Sequence, residues 1–229
     1  MVPHEVAGPR VADAFDRPAP RVSPMPTRTT RPRPRGDASP VPPEFREAVA
    51  QLRSVRLRPE VQCEDMPAPQ RIAPYAAALS ADVTVDGEDA GTGRIVLLHD
   101  PAGNDTWGGT FRCVAYARAE LTSDFAGDPM LAEVAWTWLL EALEAAGATF
   151  VAPSGTVTKV TSESFGTMAD EEGTAQLEVR ASWTPVGDVG PHVEAWGELM
   201  CMAVGLEPVP DGVTTLAGRR GARRPSPDR

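Results

Sequence analysis

The stretch "LLHDPAGNDTWGGTFRCVAYARAEL", residues 97–121, gathers His99, Asp100, Asn104, Asp105 and Trp107 into one glycine-rich loop between two apolar runs. A histidine next to a carboxylate is raw material for general acid–base or nucleophilic chemistry. A second stretch, "SGTVTKVTSESFG" at 154–166, adds Ser154, Ser162 and Ser164 near Lys159 and Glu163. The nucleophilic set these residues suggest is Ser164, His99 and Asp100. Two physical points weigh against it. Adjacent residues of a strand point to opposite faces, which disfavours pairing of His99 with Asp100. A serine nucleophile also sits on a strained turn such as GxSxG, and no such elbow is present.

Other chemistries fare no better. A metal needs a third and fourth ligand, and His192 is the only further histidine of the central region, so no metal site is expected. "GTGRIV" at 91–96 lacks the last glycine of a dinucleotide fingerprint and opens a strand, leaving phosphates no helix N-terminus; no cofactor is expected. Hairpin loops need Gly, Asn, Asp and Pro for backbone reasons alone, and "DPAGND" supplies all four. The 97–121 loop therefore reads first as a hairpin turn. The alternative is a ligand-binding or catalytic loop acting with the strand around Ser162 and Ser164.

The elements that would hold these residues follow from periodicity. "PPEFREAVAQLRSVR" opens with prolines suited to a first helical turn and repeats Phe45, Val49, Leu52 and Val55 at helical spacing. "MPAPQRIAPY" is a proline-fixed connector. "LSADVTVD" alternates as a half-buried strand, "GRIVLLH" is apolar throughout as a central strand would be, and "TFRCVAYARAEL" completes a group of three. Asp128 and Pro129 start the helix "PMLAEVAWTWLLEALEAAG", which Gly147 stops. Two further strands follow, "SGTVTKVTSES" and "AQLEVRASW". In the second, Ala175, Leu177, Val179, Ala181 and Trp183 share one face. The helix "PHVEAWGELMCMAVG" runs from Pro191 to Gly205. The order α-β-β-β-α-β-β-α with short connections makes an α+β domain around an antiparallel sheet of about five strands.

The middle helix carries two apolar stripes. Leu131, Val134 and Trp138 form one, and Trp136, Leu140 and Leu143 the other. A helix lying on one sheet needs a single stripe, so a second stripe calls for cover by another element or by a second protein. Trp138 is expected in the core. Trp136, Leu140 and Leu143 are the interface candidates.

Composition sets further limits. Residues 1–41 hold seven arginines against four acids, and residues 217–229 hold five against one. Between them, residues 42–216 carry ten basic and 27 acidic residues, a net charge of −17. Such a body repels a phosphate backbone, so sequence-specific nucleic-acid binding is not expected. Cys63, Cys113 and Cys201 are odd in number, scattered and without CxxC, which fits a reducing, cytoplasmic setting. No apolar run approaches a membrane span. The proline- and arginine-rich segment 1–41 and the tail 217–229 are too poor in apolar residues to fold and are expected to be disordered, leaving 42–216 as one domain.

"PAPQRIAPYAAALSADV", "GRIVLLHDPAG", "WGGTFRCVAYARAEL", "SGTVTKVTSESFG" and "AQLEVRASWTP" together closely resemble an actinobacterial family, the domain of unknown function 3000. The resemblance spans about Pro42 to Leu216 and implies no activity. The element order is also similar to that of class I type III secretion chaperones and YbjN-like proteins, which are acidic antiparallel α+β dimers that bind protein segments. That likeness is of architecture alone and implies a protein partner, a homodimer, or both. The expected function is a non-enzymatic protein-binding module. Removing 1–41 and 217–229 should leave the melting temperature within a few degrees, because neither segment contributes to the core. A large drop on differential scanning calorimetry would show that an ordered element was removed.

Overall fold

The computed structural model of the chain describes residues 40–121, 127–170 and 173–208. The tails expected to be disordered lie, but for Pro40 and Val41, outside those residues. Helix α1 spans Pro43–Ser54, followed by strands β1 (Val61–Met66), β2 (Tyr75–Val85), β3 (Glu88–Asn104) and β4 (Gly109–Leu121). Helix α2 covers Leu131–Ala145; β5 (Thr149–Ser162), a short 3₁₀ turn (Gly166–Met168), β6 (Thr174–Val186) and helix α3 (Gly190–Ala203) complete the chain. The strands form one antiparallel sheet in the order β1-β2-β3-β4-β6-β5. The domain is α+β.

Six strands replace the expected five. The extra one, β1, pairs Val61 with Val83 through Met66 with Ala78, inside what reads as a loop in the sequence. Only Val61 of its six residues is buried, so "VQCEDM" carries no alternation to announce it. Backbone pairing to β2 makes this strand, not a hydrophobic face.

Along β2, β3, β4 and β6 the sequence pattern and the structure agree. Leu79, Ala81 and Val83, then Ile95 and Leu97, then Cys113, Ala115, Ala117 and Ala119, and finally Ala175 to Trp183 at every second position, are buried on one face. All three helices pack on that face, with α3 over β3 and β4 and α2 against both α3 and β5. The connector 67–74 crosses to the other face at one corner. There Ala68 and Ala73, with Trp107, cover a second small cluster of Ala78, Val96 and Leu98.

Helix α2 starts two residues later than Asp128 and Pro129 suggest: its N-cap position is Met130, which makes no side-chain cap, and Asp128 acts in the turn before it. Asp128 Oδ1 accepts the Met130 N–H at 2.8 Å just before α2, and Gly147 and Gly205 take the left-handed φ of 70° and 84° that ends the two later helices. The middle helix differs from its expected double stripe. Its buried residues are Leu131, Ala135, Leu139, Ala142 and Leu143, while Trp138 is only half-buried and Val134 is exposed.

The closeness of α3 to the sheet depends on a missing side chain. A Cβ at Gly93 of β3 would overlap Met200 Sδ and press on the Tyr116 carbonyl and the Trp196 ring. Gly93→Ala should therefore cost about 1–3 kcal/mol, as overpacking does. Urea denaturation would measure it. Gly127→Ala, where a Cβ would meet nothing within 4 Å, is the control expected to stay within about 0.5 kcal/mol of the parent.

Candidate functional site

The loop around His99–Trp107 is the end of the β3–β4 hairpin. His99 pairs with Phe111 and Asn104 with Gly109, and the Asn104 side chain accepts the Thr106 N–H within the turn. His99 points to the helix face and is 1% exposed. Its ring stacks on Phe111 at 4.2 Å and on Phe45 of α1 at 5.7 Å, with Tyr75 at 6.0 Å. Nδ1 lies 3.1 Å from the Thr110 carbonyl, which only accepts, so Nδ1 carries the proton. Nε2 faces Glu44 Oε1 at 3.5 Å, a contact that is ionic only when the ring is protonated. Asp100 turns to the opposite face and accepts the Ala102 N–H.

A bare imidazole nitrogen is what a general base offers, yet Nε2 is buried and has no hydrogen-bond partner among the described residues. Beside it lies a cleft of about 530 Å³ lined by Glu44, Glu47, Gln51, Thr110, Phe111 and Thr184, among others. The cleft holds two carboxylates and no cysteine, lysine or serine among its described lining residues. Among the described residues, no group of three or more His, Cys, Asp or Glu is placed to hold a metal ion.

Of the serines, Ser154 lies near this end, on β5 opposite Ser182, but Ser162 and Ser164 are at the other end of the sheet. His99 is level with Phe111, whereas Ser162 pairs with Thr174 at the start of β6. Continuing the β4–β6 register puts the two about eleven residues apart along the strands, on the order of 35 Å at the usual strand rise. Ser164 lies beyond Ser162. The sheet therefore does not bring Ser164, His99 and Asp100 together as a catalytic set. Lys159 is occupied as well, donating to the Asp128 carbonyl at 2.5 Å.

The interface candidates on α2 divide. Leu143 is fully buried within the chain and leaves the set, because α2 is wedged between α3 and β5. Trp136 is half-buried, with its ring over Gly155 of β5, where a Cβ would lie 2.6 Å from Cζ3. Leu140, one turn on, is half-buried.

A different set of residues stands out on the face away from the helices. Register places Ser80, Arg94, Tyr116, Arg180 and Thr156 in one row across β2, β3, β4, β6 and β5. The guanidinium carbons of Arg94 and Arg180 lie 5.3 and 5.6 Å from the Tyr116 ring centroid, bracketing it. Arg180 is also paired with Glu178 at 2.6 Å, and the Tyr116 hydroxyl donates to the same carboxylate at 3.2 Å. Burial first, and Glu178 next, raise the Tyr116 pKa, so the hydroxyl stays a donor. Arg118 sits in the next row beside Glu178. Arg94 is exposed and has no carboxylate partner among the described residues. No described helix covers this centre. The signal was in "RCVAYARAE", where Arg112, Val114, Tyr116 and Arg118 alternate with four small apolar residues.

Arg112, on the same face, has another task. It is 7% exposed, and its guanidinium donates to the Ala152 carbonyl, Thr184 Oγ1, Ser154 Oγ, and both Ser182 oxygens at 2.8–3.2 Å. Burial lowers its pKa, and only neutral oxygens hold the charge. It fastens β4 to β6 and to the bulge of β5 at Ala152, whose φ is +51°.

The family described as "Protein of unknown function (DUF3000)" matches residues 41–214. The chain belongs to this family. No curated protein and no solved structure matches it. The family description assigns no chemistry, so geometry carries any functional reading of this DUF3000 chain.

His192, the other central histidine, is not near the hairpin end through any bond. It is fully buried, and its Nδ1 accepts the Trp183 indole N–H at 3.0 Å, which leaves the neutral ring its proton on Nε2. Burial pushes its pKa down to about 4, with Asp188 opposing weakly. The folded chain thus refuses a proton that the unfolded chain binds below about 6.5. Its contribution is complete above that pH and is lost as pH falls toward 4, a change of about 3 kcal/mol. His192→Asn keeps an acceptor for Trp183 but cannot titrate. Urea denaturation from pH 7 to 4 should give a flatter decline of stability for the variant than for the parent; parallel curves would refute the assignment.

Proposed function

We propose that this chain is a non-enzymatic protein-binding module, of adaptor or chaperone-like character, working as a homodimer in the cytoplasm. The observation that carries the reading is the open sheet face, where Arg94 and Arg180 bracket Tyr116 at the centre of an otherwise acidic body. Paired guanidiniums against an aromatic ring suit a carboxylate-bearing protein segment, since planar donors match carboxylates and the ring supplies apolar contact. A long polyanion suits it less. Glu64 and Asp82 flank the patch on β1 and β2, and a net charge of −17 over residues 42–216 repels extended phosphate.

The cytoplasmic part of the proposal is supported by three cysteines that are all free, two of them buried, with the Cys113 and Cys201 thiols pushed up to about 12 by burial. No helix among the described residues is long and apolar enough to cross a membrane. A second reading, a ligand-binding protein or small-molecule enzyme at the 99–107 end, is favoured by the cleft beside Glu44 and Phe111. It does without the 162–164 strand, which lies at the far end of the sheet.

The two readings separate in one experiment. Tagged full chain, Arg94→Glu/Arg180→Glu and His99→Ala are used as baits in the source cell's lysate, and a synthetic Glu-rich peptide is titrated against each. The double reversal should lose captured protein and weaken peptide binding at least tenfold, while His99→Ala, checked for folding, keeps both. Loss with His99→Ala alone would move the function to the cleft. Equal capture and binding by all three would overturn the open-face reading.

A further inference from the structure

The two edges of the sheet differ in a way that points to what pairs with one of them. The β1 edge is six residues long and carries Glu64 and Asp65, the latter held by Arg53 at 2.9 Å. Short length and charge are the usual means of blunting an edge. The β5 edge is fourteen residues long. Its first part is blunted by Pro153, by the positive φ of Ala152 and by a register shift between Val151 and Ser154. The remainder, Gly155–Ser162, pairs with β6 without interruption and has no described neighbour on its other side.

Among the described residues, nothing blunts that stretch as Pro153 and the bulge blunt the first part. Gly155–Ser162 contains no proline and no bulge, and its residues Thr156, Val157, Thr158, Val160 and Thr161 are all β-branched. Its one charge, Lys159, is drawn toward α2 by the Asp128 carbonyl instead of guarding the edge. Above the same edge, Trp136 rests on Gly155 and Leu140 follows one turn later, both half-buried against a side with no further described element.

We infer that Gly155–Ser162 pairs antiparallel with the same stretch of a second copy, joining two six-stranded sheets into one, with the Trp136–Leu140 flanks of the two α2 helices meeting above the seam. The inference rests on the homodimer reading and names its surface. A second copy suits this edge because a strand paired with itself about a two-fold axis is self-complementary by construction. It also suits the charge. Two bodies of net −17 repel wherever acids face one another, and this edge presents hydroxyl and methyl groups. An eight-residue ladder is about 27 Å long and alone falls short of the roughly 1,000 Å² that a specific interface needs. The two tryptophan-bearing flanks supply the rest, on the side where two helices lying on adjacent strands come into contact.

Sedimentation of the full chain should give about twice its 24.4 kDa mass at micromolar concentration. Thr158→Lys/Val160→Lys changes two exposed side chains and sets lysines of both copies across the seam. It should give a folded monomer by circular dichroism and sedimentation. A parent chain that stays monomeric overturns both the seam and the homodimer reading. A double variant that remains dimeric overturns the seam while leaving a homodimer formed elsewhere. Should the variant fail to fold, hydrogen exchange on the parent decides. Amides within 155–162 should exchange more slowly as concentration rises through dimer formation, and exchange that is fast at every concentration overturns the inference. Arg94→Glu/Arg180→Glu should leave the mass unchanged, which keeps this test apart from that of the open face.

Discussion

Two buried indole N–H groups determine where α3 lies, and the position of α3 settles which face of the sheet is covered. Trp183 donates to His192 Nδ1 from β6 into the helix, and Trp196 donates from the helix to the Tyr116 carbonyl of β4, at 3.0 and 3.1 Å. Both rings are fully buried, so an unmet N–H would cost the full desolvation of the group. Each bond runs between α3 and a different strand, and together they fix the helix in both directions along the sheet. The alanines at 115, 117 and 119 and the glycine at 93 keep the surface beneath it shallow enough for contact. With α3 seated, α1 and α2 fill the space on either side, and no described helix remains for the opposite face.

Parity along the strands then gives each residue its environment, and parity is what the sequence displays best. The alternations in β2 and β6 and the unbroken run of β3 are visible because one face is buried throughout and β3 also has a small cluster behind it. β1 is not visible, since an edge strand held by backbone bonds needs no hydrophobic period. The double stripe of α2 misleads for a related reason. Trp136 and Trp138 are large enough to reach the core from its margins, so angular position on a helical wheel assigns them whole faces that the smaller Ala135 and Ala142 occupy. The site was legible only in part. His99 and Asp100 fall on opposite faces as strand geometry requires, but the distance from His99 to Ser164 depends on which strands neighbour one another, and sequence order does not give that β6 lies between β4 and β5.

The same topology sorts the scarce basic residues. Four of the ten in residues 42–216 lie on β3, β4 and β6, three strands that become neighbours only in the sheet, and all four face away from the helices. Their fates differ with depth. Arg112 is buried and saturated by neutral oxygens, Arg180 shares Glu178 with Tyr116, Arg118 lies beside that acid, and Arg94 is exposed. A strongly acidic chain can thus present a local cationic centre that its net charge conceals, because net charge averages over surfaces that no single partner meets.

Arg112 also links this face to the edge of the sheet. A desolvated guanidinium without a carboxylate is costly unless every donor is met, and the acceptors that meet it come from β5 and β6. The Ala152 carbonyl can take part because the chain there adopts a left-handed φ, which turns that peptide toward the arginine and breaks the register with β6 until Ser154. The bulge and the burial of Arg112 thus go together, and the bulge spoils the first part of the β5 edge for pairing. From Gly155 onward the constraint is gone: the strand resumes regular pairing, and its outer backbone groups lie in line. Packing on one side of the sheet and a buried charge on the other leave one long straight stretch on the β5 edge, with Trp136 above it.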